Sequence, residues 1–275
     1  MIPELFHYTS QRGLIGILRD RVLWASKIHY LNDAAELSYA VDLLQRQLSP
    51  LITNLKEKET HFFRSLRSNL LDVQTQNTFV ASFSEKGDLL SQWRAYCPEN
   101  GGFSVGFTYE QLKPHLERQG FTLAKCVYKK SEQIALIDEY IGNMQENIRR
   151  ERSESARDLA KQFLNIATII KHPSFQEEQE WRIVSRIGES YSDSQVDYRE
   201  GKSMIVPYFK FKLESEDESF SLERIYVGPT SHPELAVNSV RGLLIKYISA
   251  LPEDVDLLLK YFKCVEESVI PYRTW

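Results

Sequence analysis

The sequence predicts a mixed α+β protein with a mostly antiparallel sheet. Short β-prone runs occur near both ends of the chain, and long helical patterns lie between them. Strands and helices do not alternate regularly, as they would in a doubly wound parallel sheet. The 275 residues suffice for one large domain, and no linker interrupts them. We therefore expect a single domain over residues 1–275, with helical insertions near 33–75 and 131–171.

The N-terminal third reads as strand, helix, strand and then two longer helices. Residues 5–8 are β-prone, Ser10 has the residue type of an N-cap, and residues 22–25 resume an extended run. Helical spacing covers residues 33–48, and a second helix is predicted over 51–71 after a break at Pro50. Residues 131–170 form a charged helical stretch that ends at His172 and its following proline.

The remaining predicted strands flank that stretch. They cover residues 78–84, 103–107, 121–128, 181–185 and 224–227, with a hairpin whose arms lie near 197 and 204–213. Asp88 is expected to cap a short helix through Trp93. Two C-terminal helices are predicted over residues 233–248 and 254–261.

Composition excludes several classes of protein. The net charge of −4, from 34 Lys and Arg against 38 Asp and Glu, argues against a broad basic nucleic-acid surface. No apolar run approaches the ~18 residues that cross a bilayer, so no membrane partner is expected. Three distant cysteines fit neither a disulfide framework nor a zinc site. The N-terminus lacks a basic leader and a long apolar stretch, so we expect a cytoplasmic protein.

Several catalytic signatures are missing from the sequence. It contains no G-x-G-x-x-G, P-loop, G-x-S-x-G or H-E-x-x-H motif. The six histidines lie far apart, without the spacing of metal ligands. No metal is therefore expected.

The first candidate site lies at the end of the first strand. Since side chains alternate along a strand, His7 and Thr9 share one face and Tyr8 takes the other. A ring nitrogen and a hydroxyl on one face are suited to hydrogen-bond a ribose diol. Taken alone, the segment is better explained by a buried histidine with a helix cap.

The second candidate site lies at the entrance of a late strand. If that strand includes Glu178, then Glu178, Glu180 and Arg182 point to the same side. Two neighbouring carboxylates are an acid/base arrangement. The alternative is a structural ion pair between Glu180 and Arg182.

Two further polar groups have a simpler explanation. Asp33 and Glu36 have the spacing of a capping box. Trp93 and Tyr96 lie three residues apart on a helix and form either an aromatic wall or core packing, with Arg94 on a different face. Core packing is the simpler interpretation of the aromatic pair.

Together these segments resemble a widespread, mostly bacterial family catalogued as a domain of unknown function. The motifs that carry the resemblance span residues 5–227 and are, in order, L-F-H-Y-T-S, L-W-A-S, L-N-D-x-x-E, S-F-S, Q-W-R-A-Y, G-F-S-V-G-F and F-x-x-E-x-E-W-R. The family supplies no function, but the resemblance implies that these polar residues belong to one site.

A second resemblance, carried by fewer motifs, is to the ADP-ribosyltransferase superfamily. Its first strand carries H-x-[ST], its second strand an aromatic residue, and its late strand a catalytic glutamate, in some branches as E-x-E. His7-Tyr8-Thr9 is similar to the first motif, Trp24 or Tyr30 to the aromatic, and Glu178-Gln179-Glu180 to the last. This resemblance implies a split antiparallel sheet around a cleft.

The same resemblance implies an NAD-dependent transferase that modifies a macromolecular acceptor, protein or nucleic acid, in defence or toxin biology. Glu180 would stabilise positive charge on the ribose, and Glu178 would orient or deprotonate the acceptor. The expected catalytic residues are Glu180, Glu178 and His7, and the expected NAD-binding residues are His7, Tyr8, Thr9, Trp24, Tyr30, Trp93, Arg94 and Arg182. The alternative is a non-enzymatic ligand- or partner-binding module of a bacterial defence or stress system.

Overall fold

A computed structural model describes residues 3–30, 34–52, 68–69, 78–97, 101–149, 155–185, 195–201, 203–214, 220, 222–247, 259 and 262–271. These residues form an open, mostly antiparallel sheet of ten strands with helices on both faces. The predicted α+β class and the mostly antiparallel sheet are therefore confirmed. In the described residues, no helix has both the length and the apolar character needed to cross a membrane.

The strands and helices are numbered here in chain order. The strands are β1 (Leu5–Ser10), β2 (Val22–Lys27), β3 (Phe79–Ser84), β4 (Gly102–Phe107), β5 (Phe121–Lys125), β6 (Glu180–Ser185), β7 (Val196–Glu200), β8 (Ile205–Lys212), β9 (Arg224–Val227) and β10 (Val265–Glu267). The helices are α1 (Gln11–Asp20), α2 (Ala34–Ile52), α3 (Leu90–Tyr96), α4 (Tyr109–Gln119), α5 (Lys130–Arg149), α6 (Ala156–Ala167) and α7 (Pro233–Tyr247). Short 3-10 turns cover Ile28–Tyr30 and Pro173–Glu178.

The sheet divides at β3. Its main path runs β10-β9-β4-β1-β3-β2-β8-β7, while β6 pairs with β3 and β5 with β6. One edge of β3 pairs with β6 along its length, from Val80 to Ser84. The other edge is shared, because β1 pairs with it at Ser84 and β2 pairs with it at Val80 and Phe79. β1 and β2 therefore diverge from each other beside Ser82.

The strand register assigns every side chain to one of two faces. We call the face that carries Leu5, Val105 and Ile183 the front face; it packs against α1, α4 and α7 around the main hydrophobic core. We call the face that carries Phe6 and Ser84 the back face. On the back face lie α3 and the N-terminal turn of α2.

A second hydrophobic core lies among helices α2, α5 and α6. Its buried side chains include Leu44, Ile141 and Phe163. Amphipathic helices bury their apolar stripes against one another in this way, so this cluster has its own interior beside that of the sheet. The helices come from the two predicted insertions, although residues 53–67 and 70–75 of the first lie outside the described residues.

Several local predictions are confirmed and three are corrected. Ser10 caps α1, since its hydroxyl accepts from the backbone N–H of Gly13 at 3.2 Å. The predicted break at Pro50 is wrong, because α2 includes Pro50 and ends at Ile52. Asp88 is not the cap of α3, whose N-cap is Leu89 without a side-chain bond. The predicted strand 121–128 ends at Lys125.

The helix cluster gives a prediction about stability. We expect Phe163→Ala to lower the free energy of unfolding by about 3–5 kcal/mol, because the fully buried ring would leave a cavity. Urea unfolding followed by circular dichroism measures the change. Leu235→Ala on α7 is the control, since that side chain is 67% exposed and should change the free energy by about 0.5 kcal/mol or less. Equal losses in the two variants would contradict the second core.

Candidate functional site

Four of the charged motif residues meet Lys171 in a buried ion network on the back face: Glu36, Glu178, Glu180 and Arg182. The Lys171 ammonium lies 2.5 Å from carboxylate oxygens of both Glu178 and Glu180, and 3.3 Å from Glu36. Lys171 is only 2% exposed. One ammonium thus joins three carboxylates from α2, the 173–178 turn and β6.

Arg182 completes the network. Its Nε donates to Glu180 Oε1 at 2.7 Å, and one Nη donates to Glu36 Oε2 at 2.6 Å. The other Nη donates to the backbone carbonyl of Thr168 at 2.7 Å. Because planar guanidinium groups hold several acceptors in fixed directions, Arg182 ties β6 to α2 and to the end of α6.

The local backbone positions the two glutamates of the E-x-E motif. Glu180 begins β6 and pairs with Ser84 of β3, so its side chain lies on the back face. Glu178 ends the 3-10 turn, and Gln179 between them has a left-handed backbone with φ 44°. Glu178 is therefore not on the strand, where the side-chain alternation would apply to it. The turn nevertheless directs its carboxylate to the same ammonium.

The network keeps its groups charged despite burial. Burial alone would raise the pKa of Glu180, but Arg182 and Lys171 lower it to about 2. Burial alone would lower the pKa of Lys171, but Glu180 and Glu36 raise it above its ordinary value. With three carboxylates and two cations, the formal charge of the network is −1.

His7 lies on the opposite face of the sheet. In the β1–β4 register it pairs with Val105 on the front face, whereas Glu180 and Arg182 point to the back. The His7 Nδ1 lies 3.0 Å from the backbone carbonyl of Ser82, so that nitrogen must carry the donated proton. This bond gives the Ser82 carbonyl of β3 a hydrogen-bond donor at the point where β1 and β2 diverge. Burial of the ring lowers the pKa of His7.

Thr9 shares the front face with His7, and Tyr8 takes the back face, as the alternation predicts. Thr9 packs directly over Gly13 in the first turn of α1, where an added Cβ would lie 1.9 Å from the threonine hydroxyl. His7 and Thr9 therefore lie on the opposite face of the sheet from Glu180, and the sheet does not bring the three residues into one cleft.

Tyr8 and Trp93 form an aromatic pair on the back face. Their rings pack edge to face with the ring centroids 4.6 Å apart, and Trp93 is 4% exposed. The Tyr8 hydroxyl donates to the carbonyl of Lys86 at 2.7 Å. Asp88 accepts from the Trp93 indole at 2.7 Å, and from Ser268 and the backbone of Val269 at 2.6 and 2.9 Å. Core packing is therefore confirmed for Trp93, which anchors α3.

The two candidates for the second-strand aromatic lie elsewhere. Trp24 is on the back face of β2, with its ring 4.6 Å from that of Tyr208 and 41% of its surface exposed. Tyr30 ends the first 3-10 turn and is partly buried. It is followed by residues 31–33, so the predicted cap Asp33 lies outside the described residues.

A groove opens beside the ion network, between α3 and the 173–178 turn. It has a volume of about 510 Å³ and is lined by Leu89, Leu90, Ser91, Arg94, Ala95 and Glu177. Within the described residues, the buried Ser91 hydroxyl has no hydrogen-bond partner. The groove combines apolar walls with a cation and an anion.

Sequence reasoning missed two groups of this region. Lys171 carried no motif signal, because a lone lysine before a histidine and a proline looks like a helix end. The spacing from Asp33 predicts a capping role for Glu36, whereas its carboxylate contacts Arg182 and Lys171. In the part of the chain that the structure describes, no cluster of three or more His, Cys, Asp or Glu residues is arranged to hold a metal ion.

Part of this region is similar to a known protein family. Residues 92–183, a third of the chain, match a family described as protein of unknown function (DUF2971). The matched segment begins in α3 and ends in β6, and it contains Lys171, Glu178, Glu180 and Arg182. This supports the predicted resemblance to a family of unknown function. No curated protein and no solved structure gives a significant match, so the resemblance to ADP-ribosyltransferases stays a prediction.

The network gives a prediction about ion pairing. We expect Lys171→Met to lower the free energy of unfolding by about 3–5 kcal/mol at neutral pH, because it leaves three close carboxylates in a buried setting. Urea unfolding measures the loss. The loss should shrink as the pH falls from about 7 to about 4, because the carboxylates without Lys171 take up protons more readily.

Lys125→Met is the matched control for this prediction. Lys125 is paired with Glu85 at 2.6 Å, but its side chain is 53% exposed. Screened surface pairs of this kind contribute about 0–1 kcal/mol. A loss at Lys171 no larger than that at Lys125 would contradict the importance of the network.

His7 gives a prediction about pH. Because the folded protein lowers the pKa of His7 below its usual 6.5, the unfolded chain binds the proton more tightly. The stability that His7 contributes is therefore complete above pH 6.5 and is lost as the pH falls below that value. We expect His7→Asn to remove this part of the pH dependence, and unfolding at several pH values measures it.

The control for His7 is the exposed His232, changed to Asn. That variant should keep the pH dependence of the parent. If the difference between the parent and His7→Asn stays constant from about pH 8 to about pH 5, the buried neutral state of His7 is wrong.

Proposed function

We propose that the chain is a non-enzymatic ligand-binding module, with its ligand in the groove between α3 and the 173–178 turn. The observation that carries the proposal is that both candidate catalytic carboxylates are bonded to Lys171. A carboxylate that stabilises charge on a sugar must touch that sugar. Glu180 is 5% exposed and is also bonded to Arg182. The motif residues are thus better suited to supporting a binding surface than to reacting.

The groove favours a ligand with both an anionic group and hydrogen-bond donors. Arg94 on α3 is suited to a phosphate or carboxylate, because guanidinium groups bind such anions with paired N–H donors. Glu177 on the opposite wall accepts hydrogen bonds, and Leu89, Leu90 and Ala95 offer apolar contact.

NAD is the appropriate first probe for this groove. Its diphosphate is anionic, and its ribose hydroxyls and amide supply donors for Glu177. The front-face position of His7 means that the residues first expected around NAD do not enclose one ligand. We therefore propose no reaction step on NAD, and only its recognition by α3 and the turn.

The binding experiment compares the parent chain with Arg94→Ala. We expect NAD to raise the melting temperature of the parent, and calorimetry to show binding that is weakened about tenfold or more in the variant. Arg12→Ala on α1, an exposed arginine on the other side of the sheet, should bind like the parent. Binding that survives Arg94→Ala, or no NAD-dependent shift at millimolar NAD, would contradict the groove as the NAD site.

A transferase is the second candidate, and one observation favours it. The divergence of β1 and β2 along one edge of β3 is a split in an antiparallel sheet, which the resemblance implied. Incubation with NAD and protein or nucleic-acid acceptors, followed by measurement of released nicotinamide, tests it. Release that is abolished in folded Glu180→Gln and His7→Ala variants would replace the binding module with an enzyme, and no release would remove the transferase.

A further inference from the structure

We propose that a second copy of this chain docks on the outer edge of β7, so that two β7 strands pair antiparallel around Tyr198. β7 is the last strand on its side of the sheet. Within the described residues, β8 is its only strand partner. An exposed strand edge of this kind offers ready hydrogen-bonding groups to another strand.

The hydrogen-bonding pattern shows which β7 groups face outward. Lys210 donates to the carbonyl of Gln195, and Gly201 donates to the carbonyl of Met204, so the odd-numbered residues of β7 bond to β8. In an antiparallel ladder the alternate residues direct their N–H and C=O to the other side. The outward groups are therefore those of Val196, Tyr198 and Glu200.

One side-chain bond agrees with this pattern. The backbone N–H of Tyr198 donates to its neighbour Asp197 at 2.8 Å, in place of a strand partner. Pairing with a second copy would exchange that bond for the carbonyl of the second copy's Tyr198. The outward direction of the Tyr198 N–H is what a two-fold pair centred on this residue requires.

The charges of β7 are complementary to themselves in this register. Centring the pair on Tyr198 places Asp197 opposite the second copy's Arg199, and Arg199 opposite the second copy's Asp197. These are the non-hydrogen-bonded positions, where side chains approach most closely. The isologous pairing therefore brings together two opposite-charge pairs, whereas a pair centred on Glu200 would place two glutamates directly opposite each other.

The guanidinium of Arg199 is directed inward, across β8 to the Ser26 hydroxyl of β2, and not toward the free edge of β7. The Asp197 carboxylate is paired with Lys210 at 2.6 Å. Among the described residues, the buried Nε of Arg199 has no hydrogen-bond partner. Its other contacts are the Ser26 hydroxyl at 3.0 Å and the carbonyl of Glu200 at 3.4 Å. Pairing with the second copy therefore requires Arg199 to turn toward the edge, where it would share the Asp197 carboxylate of the second copy with Lys210.

Apolar surface beside the edge favours the same occupant. Tyr198 is 67% exposed, and Ile205 on the neighbouring strand β8 is 69% exposed, both on the front face. In the proposed pair, Tyr198 lies directly against the second copy's Tyr198. The pair would cover part of this exposed apolar surface.

The test is a charge-reversal experiment on the full chain. Sedimentation should show a concentration-dependent dimer for the parent. Asp197→Arg and Arg199→Asp, each alone, should weaken self-association about tenfold or more, because each places like charges opposite each other twice. An equimolar mixture of these two variants should associate again, because each strand then faces the opposite charge.

Two controls make the outcome decisive. Arg12→Asp on α1 reverses an exposed charge far from β7 and should dimerise like the parent. Circular dichroism and melting temperature establish that each variant is folded. A parent that stays monomeric at the highest soluble concentration, a dimer unaffected by either reversal, or folded variants that fail to associate on mixing would overturn the proposed pair.

Discussion

The ammonium of Lys171 is the contact that joins the helix cluster to the sheet. It joins a carboxylate of α2 to carboxylates of the 173–178 turn and β6, and Arg182 bonds to two of the same three groups. Removing ions from water costs several kcal/mol each, and only complete pairing offsets that cost. Displacing the helix cluster from the sheet would leave buried charges without their partners, which opposes such a displacement.

The same principle acts at smaller scale where the sheet divides. A carbonyl of β3 would lose its partner where β1 and β2 diverge, and the neutral ring of His7 supplies a donor there. The polar motif residues His7, Glu36, Glu178, Glu180 and Arg182 thus stabilise two places in the fold. One is the junction between the two hydrophobic cores, and the other is the gap between β1 and β2. Polar motif residues in a protein of this kind are not evidence of catalysis until their side chains are seen to reach solvent.

Much of the fold could be predicted from local pattern, but the site could not. Alternation placed His7 and Tyr8 on opposite faces of β1, and the hairpin of β7 and β8 followed from its turn residues. Whether His7 shares a face with Glu180 depends on the register of β1 with β3 and of β3 with β6. A shift of one residue would exchange the faces, and no local pattern sets that register. Glu36 and Arg182 lie 146 residues apart, so their pairing was equally hidden.

The contact between Asp88 and the segment at Ser268 has a consequence for the order of events during synthesis. The two residues are 180 positions apart, and β10 pairs in parallel with β9 beside the same aromatic pair. Since a chain emerges from the ribosome from its N-terminus, Trp93 is made long before the residues that close over it. That side of the back face is therefore completed late, and until then its aromatic surface is open to chaperones and to aggregation.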